Sequence, residues 1–193
     1  MSQAKSKILS AATELFLSGG TSALSVRAIS KKAGVSTIGI YSHFNGKQGI
    51  LDELYIEGFQ LVHDAMNIDV EGQSPKDIIM QGVQGYLNIA EKYEAHYRLI
   101  FGESDSSYTP SDIAQKASEQ AFNRLIELAS LLLPEHTSQG RKQRIALEVW
   151  AFLHGYVSLK HHVIASTVTP EQWNYLALRA VETHIDTIID KHG

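Results

Sequence analysis

Residues 25–44 read Ser-Val-Arg-Ala-Ile-Ser-Lys-Lys-Ala-Gly-Val-Ser-Thr-Ile-Gly-Ile-Tyr-Ser-His-Phe. Ser25 and Ser36 each stand where a hydroxyl can accept a hydrogen bond from the first turn of a short helix. Gly34 lies between the two helices and tolerates the positive φ of a sharp turn, while Ala33 is small enough to let them touch. Val26, Ile29, Val35 and Ile40 are spaced to lock the pair at a steep angle. The second helix is then held at the surface with Thr37, Ile38, Gly39, Tyr41 and His43 left outside. A helix-turn-helix of this kind offers its second helix to the major groove of DNA. An ordinary corner between two helices is the other reading of the same segment.

The flanks extend the helical pattern. Ile8, Leu9, Ala12, Leu15 and Phe16 repeat at helical spacing and stop at Gly19-Gly20. After Phe44, the run Asn45-Gly46-Lys47-Gln48 resembles a capping box, with Asn45 as cap and Gln48 reaching back, opening a helix over 47–66 that carries Ile50, Leu51, Leu54 and Phe59. Three of the four prolines follow a hydroxyl residue, in Ser74-Pro75, Thr109-Pro110 and Thr169-Pro170. Proline is tolerated at the first helical position because that N–H has no helical partner. These signals predict helices near 75–101 (continuous or broken), 110–132, 138–166 and 170–190, with Pro134 closing the run Leu131-Leu132-Leu133. No alternating β pattern of useful length occurs. The expected fold is all-α: an N-terminal three-helix helix-turn-helix domain over 1–46 and a larger C-terminal helical bundle over 47–193, with helix 47–66 as connector.

Charge is distributed unevenly over the 193 residues, whose net charge is −4. Residues 1–50 carry six basic side chains, Lys5, Lys7, Arg27, Lys31, Lys32 and Lys47, against the single acid Glu14, and the remainder carries 11 basic and 20 acidic groups. A basic head on an acidic body suits a chain whose head alone meets a polyanion; chance segregation of surface charge is the alternative. Cysteine is absent, which removes disulfides, thiol catalysis and cysteine-ligated zinc. No apolar run reaches membrane length and the first residues lack an apolar signal core, so a cytoplasmic protein without membrane attachment is expected. The nine histidines, among them His154, His161-His162 and His184, form no Glu-x-x-His pair or His-Glu-x-x-His, and there is no phosphate-binding glycine loop. An enzyme is not expected, nor a metal or cofactor. A helical carrier of small molecules remains the alternative for the body alone.

Ala33-Gly34-Val35-Ser36, Ile40-Tyr41, His43-Phe44, Lys47 and Ile50-Leu51 together resemble the DNA-binding domain of the tetracycline-repressor-like (TetR) regulators. The resemblance implies a homodimer bound to palindromic double-stranded operator DNA and released by a small-molecule effector. It implies repression, with activation left open. Position by position it implies DNA contact by Arg27, Ser36, Thr37, Ile38, Gly39, Tyr41 and His43, with Lys47 on a phosphate. Ile38 and Gly39 make this recognition helix poor in polar base-reading groups, so specificity rests partly on thymine methyls, water or DNA shape.

Val149-Trp150-Ala151-Phe152-Leu153-His154-Gly155-Tyr156-Val157 is similar to the tryptophan–histidine–glycine signature of one branch of TetR-like C-terminal domains. Trp150 and His154 share a helix face; they either line a ligand cavity or belong to the core. Tyr86, Tyr93 and Tyr97 fall on one stripe of the helix expected over 75–101, and Phe101 and Phe122 follow. With Trp150 and His154 they are the candidate ligand-binding set, or plain core packing. The last two helices offer apolar faces through Leu147, Phe152, Leu159 and Val163, and through Trp173, Leu176, Ala180, Ile185, Ile188 and Ile189. These faces fit a four-helix dimer interface, or burial within one protomer.

Overall fold

The computed structural model describes residues 2–101, 108–160 and 163–191; His161 and His162 lie outside the described residues. Among the described residues the chain is all-α: α1 (Gln3–Gly19), α2 (Val26–Ala33), α3 (Thr37–His43), α4 (Gly46–Ala65), α5 (Pro75–Lys92), α6 (Glu94–Phe101), α7 (Asp112–Ser130), α8 (Gln139–Lys160) and α9 (Pro170–Asp190), with single 3-10 turns after α1 and α8. None of these helices is long and apolar enough to cross a membrane.

The local signals act as the sequence implies. Ser25 accepts from Ala28 N and Ser36 from Gly39 N, each at 3.0 Å. Gly34 ends α2 in the left-handed region, at φ 67° and ψ 32°, and its N–H returns to Ser30 O. Ser74 accepts from Asp77 N at the start of α5. Thr169 and Gln172 form a reciprocal capping box with Pro170 at the start of α9.

Other expectations differ. Asn45 and Gln48 form no capping box: Gln48 Nε2 instead donates to Asp52 Oδ1 and Thr109 O. Gly46 takes φ 64° at the entrance of α4, which turns the chain without a side-chain cap. The helix expected from Pro110 begins at Asp112, because Ser111 rather than Thr109 supplies the cap, accepting from Ala114 N. The helix expected over 75–101 is broken at Tyr93. Tyr86, Tyr93 and Tyr97 therefore do not share one helical stripe.

The chain forms two compact units, Met1–Leu61 with Lys92–Glu119, and Val62–Glu91 with Gln120–Gly193. The boundary expected at residue 46 falls inside the first unit, which takes α4 as far as Leu61. In the first unit, Ile8, Phe16, Ile29, Ile40 and Ile50 from α1–α4 meet in one core, each at most 1% exposed. Ala95, Leu99 and Tyr108 complete it from the later segment. Asp52 on α4 fastens that segment, accepting from Tyr108 Oη at 2.9 Å and Ser111 N at 3.2 Å. Burial first, and then the Asp52 hydrogen bond, hold the Tyr108 phenol protonated well above its ordinary range. In the second unit, Ile78, Val83, Val149, Leu153, Val181 and Ile185 are buried on α5, α8 and α9. Lys76 ties α5 to α9 through Glu182 at 3.2 Å and Asp186 at 2.7 Å.

No atom lies within 4 Å of where a Cβ on Gly34 would sit, so a side chain there meets only backbone strain. Gly34→Ala is expected to lower stability of the first unit by about 1–2 kcal/mol, and Gly34→Asn by less. Equal urea midpoints for the Gly34→Ala variant and the wild type would show that the turn does not need its left-handed residue.

Candidate functional site

The helix-turn-helix places its predicted residues as one outward surface. Arg27, Ser36, Thr37, Ile38, Tyr41 and His43 are exposed, while Gly39 and Lys47 are half-buried. Ile40 is fully buried beneath them and fixes the roll of α3. Ile38 is 78% and Tyr41 63% exposed, high values for large apolar side chains. A Cβ on Gly46 would lie 3.2 Å from Tyr41 Cε1. The glycine therefore provides both the positive φ and the seat on which the tyrosine ring rests. Sequence reasoning missed Gly46 as a support for Tyr41; the Asn45-Gly46 dipeptide was its only local signal.

Not every basic group of the head faces outward unpaired. Lys5 is bonded to Glu53 and Lys32 to Glu14, each at 2.7 Å. Arg27 and Lys31 have no acidic partner among the described residues, and both are exposed. Lys47 Nζ donates to Thr21 O at 2.7 Å, tying the turn after α1 to the first turn of α4. An ammonium has three donors, so this bond leaves two for a phosphate while fixing where they point. Thr21 carries no sequence signal for such a role, because the contact is made by its backbone carbonyl.

The aromatic candidates divide between the two units. Tyr97 and Phe101 pack edge-on at 4.9 Å between ring centroids, and Phe101 meets Phe59 at 5.6 Å, all in the first unit. Tyr93 is largely exposed beside His96. In the second unit Trp150 Nε1 donates to Tyr86 Oη at 3.2 Å, and the Trp150 and Phe122 ring centroids are 6.1 Å apart. His154, one turn along α8 from Trp150, has Nε2 3.4 Å from Ser158 Oγ. Burial lowers its pKa below the ordinary histidine value, so the ring is a neutral hydrogen-bonding group at neutral pH. Acid works against this fold, since the unfolded chain takes up that proton more readily.

Comparison with known proteins decides the family. Residues 8–54 match the model of the bacterial regulatory proteins of the tetR family, and residues 79–171 match the tetracyclin repressor-like C-terminal domain. Together they span most of the chain. The chain belongs to the TetR family. It is a helix-turn-helix transcriptional regulator. It is 25% identical over 154 residues to YobS, a helix-turn-helix transcriptional regulator of Bacillus subtilis, covering 79% of this chain and 76% of that protein. Its fold resembles a tetR-family regulatory protein from Rhodococcus RHA1, with TM-score 0.75 and 20% identity over 97% of this chain and 98% of that one. It also resembles SmeT in complex with triclosan, with TM-score 0.66 and 15% identity over 95% and 91% of the two chains. These matches reach the TetR family and do not extend to the tryptophan–histidine–glycine branch.

In this TetR chain, α8 and α9 leave part of their apolar surface uncovered. Leu147, Phe152 and Leu159 are exposed, as are Val163 just beyond α8 and Leu176 on α9. Ile185 and Ile188, expected on the same outer face, are buried within the protomer instead. Trp173, Ala180 and Ile189 are half-buried, and Trp173 Nε1 donates to Tyr156 O at 2.7 Å. The inner stripe of α9 thus belongs to the core of the second unit, and a narrower stripe remains outside. Among the described residues no group of three or more His, Asp or Glu side chains is placed to hold a metal ion.

One substitution separates the internal tie that Lys47 makes to Thr21 from the phosphate contact expected of it. Lys47→Ala is expected to cost about 1 kcal/mol of stability by removing the Thr21 bond. It should also reduce the log–log salt slope of DNA binding by about 0.9 for each phosphate that the lysine neutralises. A lowered melting temperature with an unchanged slope would leave the lysine a purely internal tie.

Proposed function

We propose that this TetR protein is a cytoplasmic homodimer that represses transcription from a palindromic operator and leaves the DNA when a small molecule binds its second unit. The observation that carries the DNA-binding part is the single outward surface of Arg27, Ser36, Thr37, Ile38, Gly39, Tyr41 and His43, with Lys47 beside it. A rigid short helix over a buried Ile40 suits insertion into a major groove.

The dimer reading draws on α8 and α9. Leu147, Phe152, Leu159 and Leu176 are apolar side chains left uncovered in one chain. A Cβ on Gly155 would meet nothing within 4 Å, so a partner helix has room to approach closely there. A two-fold axis through this surface yields two recognition helices; spacing them about 34–36 Å apart matches successive major grooves. The operator is then palindromic by symmetry.

The effector reading narrows to Tyr86, Phe122, Trp150 and His154, which share the second unit. Aromatic walls with a few polar atoms suit a small apolar ligand, and SmeT was solved with triclosan. Tyr93, Tyr97 and Phe101 belong with the first unit and drop from the proposed set. Helix α4 offers the route of response. Its early turns are bonded through Asp52 in the first unit, and its last turn lies against Gly85 of α5, where a Cβ would come within 2.9 Å of Ala65 Cβ. A ligand that prefers one placement of α4 shifts the population of operator-bound heads by its differential affinity alone.

Two experiments test this reading. Leu147→Glu places a charge in the proposed interface and is expected to shift the chain from dimer to monomer in sedimentation velocity. Operator affinity measured by fluorescence anisotropy should fall with it, by about tenfold or more, the equivalent of 1.4 kcal/mol. A variant that remains dimeric with full affinity would remove α8 from the interface. His154→Leu is expected to fold, dimerise and bind operator as the wild type does, yet need about fivefold more effector for release, the worth of one neutral hydrogen bond. A changed melting temperature with an unchanged release titration would make His154 a core residue.

A further inference from the structure

We propose that Ile38 reads a thymine methyl group in each half of the operator, and that this apolar contact is the principal base-reading interaction of α3. The inference rests on the DNA-binding reading above and names the base chemistry that its surface selects. Ile38 is 78% exposed, and among the described large apolar side chains only Val163, at 80%, exceeds it. The serine hydroxyls beside it are engaged by their own helix: Ser36 Oγ accepts from Gly39 N at 3.0 Å, and Ser42 Oγ donates to Gly39 O at 2.9 Å. Position 39 contributes no side chain at all. Its glycine is not required by the fold, since φ is not positive there and a Cβ would find only ordinary contacts, Ser36 Oγ at 3.4 Å and Val35 Cβ at 3.9 Å.

The bare backbone at Gly39 clears space on the flank of Ile38, so the isoleucine can approach a base edge closely. Its β-branched side chain is stiff at χ1 in a helix and presents a fixed apolar surface. Thymine alone among the four bases shows an apolar group, its 5-methyl, in the major groove. The exposed cations Arg27 and Lys31 nearby in the chain make a polyanionic duplex, rather than an apolar protein surface, the occupant that charge favours.

The test uses the full chain and duplexes that it enriches from a random-sequence library. In the enriched duplex each thymidine is replaced singly by deoxyuridine, which pairs identically and lacks only the methyl. Wild type is expected to lose about fourfold in affinity at one thymine per half-site, the worth of one buried methyl, and roughly fifteenfold when both are replaced. Ile38→Ala should bind the thymidine and deoxyuridine duplexes alike, with an unchanged melting temperature, and Ile38→Val should keep the preference. A wild type indifferent to every replacement overturns the methyl contact, as does a penalty that persists undiminished in Ile38→Ala. A wild type that enriches no duplex at all overturns the DNA-binding reading and this inference with it.

Discussion

Five side chains, Ile8, Phe16, Ile29, Ile40 and Ile50, close on one another with essentially no exposed surface. Helices of seven and eight residues, such as α3 and α2, have no stability of their own in water. They exist because this core takes one apolar residue from each of them and sets both against α1 and α4. Truncating any of these large side chains leaves a void worth about 2–5 kcal/mol, a large share of a small unit's stability. The position of α3 as a DNA-reading element is therefore a packing property of the residues behind it.

The same core explains why residues far apart in the chain belong to the head. Ala95 and Leu99 on α6, and Tyr108 beyond it, seal a side of the α1–α4 cluster. The carboxylate of Asp52 then fixes the returning chain with a phenol and a backbone N–H. Helix α4 is thus gripped by different partners at successive positions: Lys47 on Thr21 O, Glu53 on Lys5, Asp52 on Tyr108.

On the exposed surface around α3 the two serines differ from Thr37, Tyr41 and His43 in having their hydroxyls engaged by their own helix. Capping and turn-closing engage the hydroxyls of Ser36 and Ser42, and glycine occupies a central position. The cations differ in the same way: ion pairs hold Lys5 and Lys32, whereas Arg27 and Lys31 are open. Phosphate contacts position a protein on DNA while base contacts specify sequence, so in the proposed complex the two tasks fall to different residues.

What the sequence determined by itself was whatever depends on neighbours within a turn or two. Ser25, Ser36, Ser74 and Thr169 cap the helices they precede, Gly34 takes the left-handed turn, and the helical period of Ile8 to Phe16 appears as α1, because each effect is settled by a residue and the next four. Residues 33–51 also carried the family resemblance. Other features were decided only when the chain closed on itself. Gln48 could have completed a cap with Asn45, but Asp52 and Thr109 O offered it other partners. Tyr93 could have continued a helix, yet the chain breaks there, and Phe101 beyond it packs with Phe59 and Tyr97. Ile185 and Ile188 have the same chemistry as Leu147 and Leu176, and only their angular position about α8 and α9 puts the first pair in the core and leaves the second outside. Hydrophobicity is local to a residue, but the side on which it is satisfied depends on contacts far away in the sequence.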